Sequence, residues 1–408
     1  MKARYFFYPF LSLFSVAMFA SCSLSVPKEG DIIEDSAFRS VDLRIIEKTK
    51  GTVMSLGDLM ESYEIIRLDN RDEALIKTYP YGVYVTDNYI LLRPADVVSP
   101  VKLFTRKGRY VADIGGVGQG PGEYLYLFSW LVDEKENRIY LGPGRTDKVL
   151  VYDLKGNYLP DEVIRFGEIV HKSQIWVDYD KKNVVVVTLP FSANVNSNFA
   201  INKNVCWVQN RDGDIVHRIP VNHYGLIGDY SNALVARRNV DAISFSISEI
   251  PMLRTRPDTL YHYDAVKNII TPCFTIDHVV SENQSASTVL YETSRSYWAQ
   301  VTLYPNNLSS SVSSVRLPAF NVCVSKKDGN VRRIDRFTDP LLGLSHLFLM
   351  MNNGYICISY DPLELMDALD KVLTQTDLEP DVRKRATDLR NSLHENDNDI
   401  LIIGKLKQ

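Results

Sequence analysis

Two segments of this sequence repeat the same order of features at a spacing of about fifty residues. They are NYILLRPADVVSPVKLFTRKGRYVADI (88–114) and NRIYLGPGRTDKVLVYDLKGNYLPDEVI (137–164). Each begins with a short apolar strand, passes through a polar turn into an alternating strand, and reverses at a Lys-Gly pair. The turn glycines, Gly108 and Gly156, are 48 residues apart. Repeats of this length that contain several short strands are typical of β-propeller blades.

Weaker copies of the pattern cover much of the remaining chain. Hairpin turns are predicted at Gly213 and Gly329, and strand patterns occur at 183–189 and 258–264. About 340 residues at ~50–60 residues per blade give six blades, with seven as the alternative. The sequence therefore predicts an all-β fold, a six-bladed β-propeller.

The exception to the strand pattern lies near the C-terminus. Asp361 is a predicted N-cap, Pro362 occupies the first helical position, and apolar residues follow at helical spacing. A second helix is predicted from Pro380, so that a small helical insertion covers about 361–395. The final segment, 399–407, is a predicted strand that closes the ring beside strands from the N-terminal end.

The N-terminus carries the pattern of an export signal. Lys2 and Arg4 precede an apolar run at 5–19, whose length is usual for a signal peptide and short for a membrane-spanning helix. The tetrapeptide FASC (19–22) resembles a bacterial lipobox, with phenylalanine in the place of the usual leucine. Cys22 is therefore predicted to be lipidated, and a plain secretory signal is the alternative.

These patterns divide the chain into three parts. Residues 1–21 are predicted to be a signal peptide, 22–50 a lipidated tether, and 51–408 the propeller with its helical insertion. One lipid-modified terminus attaches a protein to a membrane without a spanning helix. The predicted location is the cell envelope, facing the periplasm or exposed at the surface, with the outer membrane as the expected membrane.

The charge balance excludes one large class of partner. The chain has 46 Lys and Arg against 50 Asp and Glu, a formal net charge of −4. A nucleic-acid-binding domain usually shows a basic excess or a basic stripe. Nucleic acid is therefore not expected as a partner, and membrane contact is expected only through the lipid anchor. The sequence leaves the oligomeric state open.

Neither the cysteines after Cys22 nor the histidines show the spacing of metal ligands. The cysteines form no CxxC pair and are interpreted as small buried residues on strands, with disulfide pairing left open. The spacing of the histidines leaves open whether they converge in space. No metal and no cofactor is predicted. The cysteines are Cys206, Cys273, Cys323 and Cys357, and the histidines are His171, His217, His223, His262, His278, His346 and His394.

The glycine-rich segment GGVGQGPGEY (115–124) raises the question of a phosphate site. Gly116 and Gly118 have the spacing of a dinucleotide fingerprint, but proline occupies position 121, and no GK[ST] follows. The next residues, EYLYLFSWLV, are strand-like, so the helix N-terminus that would hold a phosphate is missing. The segment is predicted to be a tight joint between two blades.

The stretches at 103–124 and 137–159 are similar to NHL repeats, which join blades through a glycine-rich linker. The whole chain resembles the six-bladed β-propeller lipoproteins of gut Gram-negative anaerobes. The resemblance rests on the lipobox, SLGDLMESYEIIRLD, the GQGPGEY joint, DTLYHYD and the terminal NDILIIGKLK. It implies a propeller and a lipid anchor, and it implies no particular activity.

Candidate site residues lie on the connections of the two clearest repeats. Propellers bind ligands where loops converge at the mouth of the central channel. Arg93, Arg145 and Asp147 are therefore candidate ligand-binding residues, and salt bridges between blades are their alternative role. Trp130 and Tyr140 are assigned to core packing.

The functional prediction is a binding or scaffold role, with a protein, peptide or glycan bound at one face of the ring. The alternative is a hydrolase or lyase with a site at the channel mouth, which requires ionisable side chains that meet there. The sequence contains no G-x-S-x-G motif, and the paired carboxylates of DEKEN (133–137) are interpreted as a solvated hairpin. A structural assembly component with an exposed apolar patch is a third possibility.

Overall fold

The computed structural model is a ring of six β-sheets, each with four or more strands. The structure describes residues 38–96, 98–178, 183–194, 201–221, 226–228, 233–238, 243–248, 259–277, 284–305 and 318–407. The first strands of blades 1 to 5 contact one another in turn around the channel, and the first strand of blade 6 contacts that of blade 1. The six-bladed β-propeller is thereby confirmed. The predicted signal peptide (1–21) and Cys22 lie outside the described residues.

Blades 1 to 3 are antiparallel, four-stranded sheets whose strands follow chain order from the channel outwards. Blade 1 consists of Pro80–Val85, Tyr89–Pro94, Val101–Thr105 and Tyr110–Ile114. Blade 2 consists of Leu127–Asp133, Arg138–Pro143, Arg145–Asp153 and Ile164–His171. Blade 3 consists of Ser173–Asp178, Asn183–Thr188, Asn204–Asn210 and Ile215–Pro220. Two short parallel pairs accompany them, Gly116–Val117 with Glu123–Tyr124 and Phe191–Asn194 with Leu226–Gly228.

Blades 4 to 6 each take one further strand from the N-terminal region. Blade 4 contains Ala233–Arg238, Ile243–Ser248, Thr259–Asp264 and Ile269–Asp277. Blade 5 contains Gln284–Glu292, Ser296–Pro305, Ala319–Ser325 and Val331–Thr338, with a short strand at Ser345–His346. Blade 6 contains Met350–Asn352, Tyr355–Tyr360 and Ile400–Lys405.

The N-terminal strands form a belt along the outer edges of three successive blades. Arg39–Asp42 pairs in parallel with the last strand of blade 4, and Thr52–Ser55 does the same in blade 5. Glu64–Arg67 pairs antiparallel with Ile400–Lys405 and completes blade 6, which confirms the predicted ring closure. Strand pairing brings the chain into the fold at Arg39, within the segment that the sequence assigns to the tether.

Helices are few in the described residues. Asp361 begins the insertion as predicted, because its carboxylate accepts hydrogen bonds from the N–H groups of Leu363 and Glu364. The buried stripe of the insertion packs on the linker that enters blade 6, around Leu342 and Leu344. The α-helices are Leu43–Lys48, Leu56–Leu59, Pro362–Leu373 and Pro380–Asn391, and the 3₁₀ turns are Asp72–Ala74 and Pro160–Glu162.

The turn glycines of the repeat have a packing role as well as a positive φ. Gly108, Gly156 and Gly213 have φ values of 79°, 88° and 98°. A Cβ atom at Gly108 would overlap the carbonyl oxygen of Arg67 in blade 6, the preceding blade. A Cβ at Gly156 would lie 2.9 Å from the carbonyl oxygen of Asp113 in blade 1. The hairpin between the third and fourth strands therefore packs against the outer strand of the preceding blade.

The glycine-rich segment joins the outer strand of blade 1 to the inner strand of blade 2, as predicted. Backbone N–H and C=O groups of this segment form hydrogen bonds with side chains of the segment itself and of blade 2. The Glu123 carboxylate accepts a hydrogen bond from the N–H of Gly120 (2.7 Å), and the Tyr152 hydroxyl donates to the carbonyl of Gly122. The joint is a closed loop between strands and does not open a helix.

The four described cysteines form no disulfide and are buried on strands of blades 3, 4, 5 and 6. Burial raises the pKa of Cys206, Cys323 and Cys357, so these thiols are protonated at neutral pH. This confirms that the cysteines serve as small apolar side chains in the blade cores.

A buried carboxylate lies where the helical insertion returns to the last strand of the ring. Asp399 is buried and accepts a hydrogen bond from the hydroxyl of Ser359 at 2.9 Å. Its backbone carbonyl accepts a hydrogen bond from the N–H of Leu68 in the N-terminal belt. Burial, together with the nearby charges of Asp361 and Glu364, raises the pKa of Asp399 to about 7. The carboxyl is therefore protonated below neutral pH.

Replacement of two hairpin glycines by alanine should distinguish the energetic cost of lost interblade packing from the cost of backbone strain. We expect Gly108→Ala to lower the free energy of unfolding by about 3 kcal/mol, because it adds an overlap with Arg67 to an unfavourable φ. Gly354→Ala is the matched control: its φ is 78°, and no atom lies within 4 Å of its notional Cβ, so we expect about 1 kcal/mol. Urea unfolding measures both, and equal losses would contradict the packing role.

The buried carboxyl predicts a pH dependence of stability. An unfolded aspartate titrates near ~3.9, so between about pH 4 and pH 7 only the folded chain holds this proton. The free energy of unfolding should therefore fall as the pH rises through this interval. Asp399→Asn should remove that slope and be more stable than the wild type at pH 8. Asp388→Asn, at an exposed helical position, is the control; an unchanged slope in Asp399→Asn would contradict the assignment.

Candidate functional site

The two faces of the ring carry different kinds of connection. Hairpins lie on one face, which we call the hairpin face; in blade 1 they span 86–88 and 106–109. The links from second to third strand and from blade to blade lie on the opposite face, which we call the linker face. In blade 1 these links span 95–100 and 115–126. The helical insertion also belongs to the linker face, since it connects the second and third strands of blade 6.

Arg93 lies at the linker-face end of the second strand of blade 1 and is only 7 % exposed. Its Cζ atom lies 4.3 Å from the ring centroid of Tyr81, 5.6 Å from that of Tyr126 and 5.5 Å from that of Trp130. Tyr81 and Trp130 belong to the inner strands of blades 1 and 2, and Tyr126 ends the linker between them. We call these four residues the arginine cage.

Two of the rings of the cage pack directly on glycine residues, where any side chain would occupy their space. A Cβ at Gly82 would overlap the indole of Trp130, and a Cβ at Gly144 would overlap the ring of Tyr126. The pairing of the first two strands of blade 1 shifts register between Pro80 and Gly82, which leaves Tyr81 outside the ladder. Such a bulge redirects a side chain, and here it turns the phenol of Tyr81 over the guanidinium.

Two donor groups of the cage have no acceptor among the described residues. The Nη1 atom of Arg93 and the Nε1 atom of Trp130 are both buried and unpaired. Lys102, on the next strand, is buried to the same degree, yet its Nζ atom lies 2.8 Å from a carboxylate oxygen of Asp113. Buried polar groups are hydrogen-bonded in the great majority of cases. The cage therefore differs from an ordinary buried ion pair.

Exposed apolar side chains surround the cage on the linker face. Tyr79 and Tyr81 lie at the start of blade 1, Leu125 and Tyr126 lie in the linker to blade 2, and Val98 lies in the 95–100 connection. All five are exposed, Tyr81 by 55 % and Tyr126 by 41 %. The site thus combines a buried cation with an accessible aromatic surface.

The structure places Arg145 and Asp147 at the linker-face start of the third strand of blade 2. Both side chains are exposed, and neither takes part in an ion pair or side-chain hydrogen bond with another described residue. Arg145 follows the glycine on which Tyr126 packs, and it pairs in register with His171. Burial, together with the charges of Lys172 and Arg145, lowers the pKa of His171 to about 4. The ligand-binding role of Arg145 and Asp147 stays a prediction.

The described histidines make separate contacts in different blades. Within the described ranges, no three His, Cys, Asp or Glu residues come together as metal ligands. His223 and His278 lie outside those ranges. The contacts are His217 Nε2 to the carbonyl oxygen of Ala265 (2.6 Å), His262 Nε2 to Glu292 Oε1 (2.7 Å) and His346 Nδ1 to the hydroxyl of Tyr360 (3.2 Å).

Sequence reasoning identified the centre of the cage but missed most of its walls. Arg93 was a predicted site residue, and Trp130 was assigned to core packing. Tyr140 is fully buried, as expected of a core residue. Tyr81 and Tyr126 were missed. The available signal was the cluster of aromatic residues directly before two inner strands, in YPYGVY and EYLYLFSW.

Comparison with solved structures shows the shared fold. A candidate exported protein of Bacteroides fragilis NCTC 9343 is similar with a TM-score of 0.59 at 16% identity, over 93% of this chain and 100% of that chain. A member of the DUF4221 family from Bacteroides vulgatus ATCC 8482 has a TM-score of 0.42 at 10% identity, over 86% of this chain and 97% of that chain. No curated protein matches the sequence.

A family model, described as a domain of unknown function (DUF4934), matches residues 40–405. The matched range includes most of the N-terminal belt, all six blades and the helical insertion. It therefore covers the arginine cage and both faces of the ring. On this match, the chain belongs to the DUF4934 family.

Proposed function

We propose that this chain is an exported binding protein, tethered by a lipid at Cys22, that holds a ligand at the linker face of its propeller. The ligand is a glycan, a peptide or a partner protein. The arginine cage is the centre of the site, and Arg145 and Asp147 lie on its blade 2 side.

The observation that carries this proposal is the arginine cage itself. A buried guanidinium whose Nη1 atom has no acceptor is costly to a folded chain, because that donor loses its hydrogen bonds to water and the aromatic rings around it offer no acceptor atom in their place. A bound ligand supplies the missing acceptor. Exposed tyrosines beside the cage supply contact area at low conformational cost, and Tyr, Trp and Arg are the residues that most often dominate binding interfaces.

The geometry does not favour the alternative of a hydrolase or lyase. Catalysis by acid and base groups requires ionisable side chains within reach of one substrate atom. Among the described residues, His262, Glu292 and Lys326 do meet between blades 4 and 5, beside the hairpins of blade 5 and away from the linker face. His217 and His346 contact partners in other blades. The cage contains a guanidinium, two phenols and an indole, which are suited to holding a ligand rather than to moving a proton at neutral pH.

Export and anchoring are supported by the N-terminal sequence and by the resemblance to propeller lipoproteins with NHL-like repeats. The basic region, the apolar run and the lipobox-like FASC precede the fold in the expected order. No helix among the described residues has the length and apolar character needed to cross a bilayer. A single lipid would hold the protein at the cell envelope, with the outer membrane as the proposed location.

The linker face should carry the binding activity. We expect the double variant Tyr81→Ala/Tyr126→Ala to lose about tenfold or more of its affinity for a captured ligand, because it removes the exposed rings of the cage. Binding of the purified protein to immobilised oligosaccharides and peptides measures the loss. Val266→Ala, an exposed position in a blade 4 hairpin on the opposite face, is the control. Equal binding by both variants would place the ligand elsewhere.

The anchor has its own test. Cys22→Ala removes the thiol that would carry the lipid, so the exported protein should move from the membrane fraction to the soluble fraction. Fractionation of cells, followed by detection of the protein, measures the distribution. Cys206→Ala, which changes a cysteine of the blade 3 core, should leave the protein with the membranes. Membrane retention of Cys22→Ala would refute lipidation at this residue.

A further inference from the structure

We propose that the arginine cage recognises the carboxylate of an acidic sugar, a hexuronic acid unit of an oligosaccharide. This inference rests on the proposed function, because it names the ligand class of the same site. It assigns the carboxylate to Arg93 and Trp130 and the sugar ring to the tyrosines.

The first argument concerns hydrogen bonds. Arginine and the indole of tryptophan carry only donors, so neither side chain can satisfy the other. Nη1 of Arg93 and Nε1 of Trp130 are both buried without an acceptor, in side chains whose guanidinium carbon and ring centroid lie 5.5 Å apart. The ligand must therefore present acceptors. A carboxylate presents two oxygen atoms and suits the fork of a guanidinium.

The second argument concerns charge. Two other cations with little solvent exposure have carboxylate partners: Lys102 pairs with Asp113, and Arg138 pairs with Glu162 through its Nε and Nη2 atoms. Arg93 has no such partner in the described residues. The stacked rings attract a cation through their π faces, but they do not neutralise it. An anionic ligand would neutralise the charge of Arg93, as the carboxylates of Asp113 and Glu162 neutralise Lys102 and Arg138.

The third argument concerns the shape of the ligand. Tyr81 and Tyr126 offer flat apolar faces that are about half exposed and carry a hydroxyl at the edge. A sugar ring matches this surface, because it presents C–H groups on its faces and hydroxyls on its rim. The guanidinium carbon of Arg93 lies 4.3 Å from the ring centroid of Tyr81 and 5.6 Å from that of Tyr126. A single sugar unit can therefore place its carboxylate on the guanidinium and its ring against the tyrosines.

A peptide fits the site less well. Peptides that bind propellers or sheets by strand addition need an unpaired strand edge. The strand that carries Arg93 is paired on both sides, with Pro80–Val85 and with Val101–Thr105. A peptide therefore cannot add a strand beside Arg93, and the sheet does not position a peptide backbone as the acceptor that the cage lacks.

Tyr81 controls access to the cation. Its ring covers the guanidinium at 4.3 Å, and Nη1 of Arg93 is sealed from solvent. Because Tyr81 lies in the bulge and is 55% exposed, its side chain can rotate without breaking the strand ladder. Rotation would open the cage to the carboxylate and turn the phenol towards the sugar ring.

Calorimetric titration of the purified full-length protein tests the inference. The probes are trigalacturonate, the matching neutral galactotriose, and a glutamate tripeptide. We expect trigalacturonate to bind at least tenfold more tightly than galactotriose. Arg93→Met should weaken trigalacturonate binding by about ten- to hundredfold, and Trp130→Phe, which removes one N–H and keeps a ring, by about tenfold.

Two controls keep the result interpretable. Arg109→Met removes an exposed arginine from the hairpin face and should leave the affinity unchanged. Circular dichroism and thermal unfolding check that each variant folds. If Arg93→Met does not fold, the Trp130→Phe and Arg93→Lys variants decide, because a lysine keeps the charge and loses the fork.

Each outcome supports or overturns the inference. Preferential binding of trigalacturonate that depends on Arg93 and Trp130 supports it. Equal affinity for galactotriose, or full affinity in Arg93→Met, overturns it. Binding of the glutamate tripeptide alone, in an Arg93-dependent manner, also overturns it and leaves the proposed binding site standing. Binding of none of the probes overturns it as well, and the tyrosine variants then decide the proposed function separately.

Discussion

The contact between a hairpin glycine and the outer strand of the preceding blade is the constraint on which this ring depends. At Gly108 and Gly213 the neighbour is a backbone carbonyl, of Arg67 and Arg165, that leaves no space for a side chain. The same positions require a positive φ, which glycine adopts without strain. The distance between these neighbouring blades is therefore determined by contact between two backbone segments. A larger residue would act on two blades at once, which explains why these turns stand out so clearly in the sequence.

This periodic constraint is what made the fold predictable. The turns at 108, 156, 213 and 329 mark the blades, and the final strand was correctly expected to close the ring. The start of the fold was not predictable by the same means. Arg39–Asp42 is a four-residue strand that pairs in parallel with a strand more than 230 residues away in the chain. Such a partner leaves no local pattern, because a short edge strand needs neither a turn nor alternation.

The site was predictable only in part, for a related reason. Arg93 was a candidate because the sequence placed it on a loop between two strands, whereas the structure places it within the second strand of blade 1. The rings around it come from two blades and from the linker between them, and no sequence spacing links Tyr81 with Tyr126. Trp130 packs against the backbone of Gly82 as a core residue does, and it also contributes an unpaired donor to the cage. Trp130 can therefore be a core residue and a residue of the candidate site at the same time.

The same packing determines where a ligand site can lie. The hairpins between the third and fourth strands of blades 1 to 3 fit against the preceding blade and have no space for a large side chain at Gly108, Gly156 or Gly213. The linker face has no such restriction, and it carries the 39-residue connection of blade 6 between Tyr360 and Ile400. The cage combines a fixed residue with a movable one. Arg93 is held by a strand that is paired on both sides, whereas Tyr81 lies in a bulge outside the ladder. A rigid cation beneath a movable ring is an arrangement that the hairpin face could not accommodate.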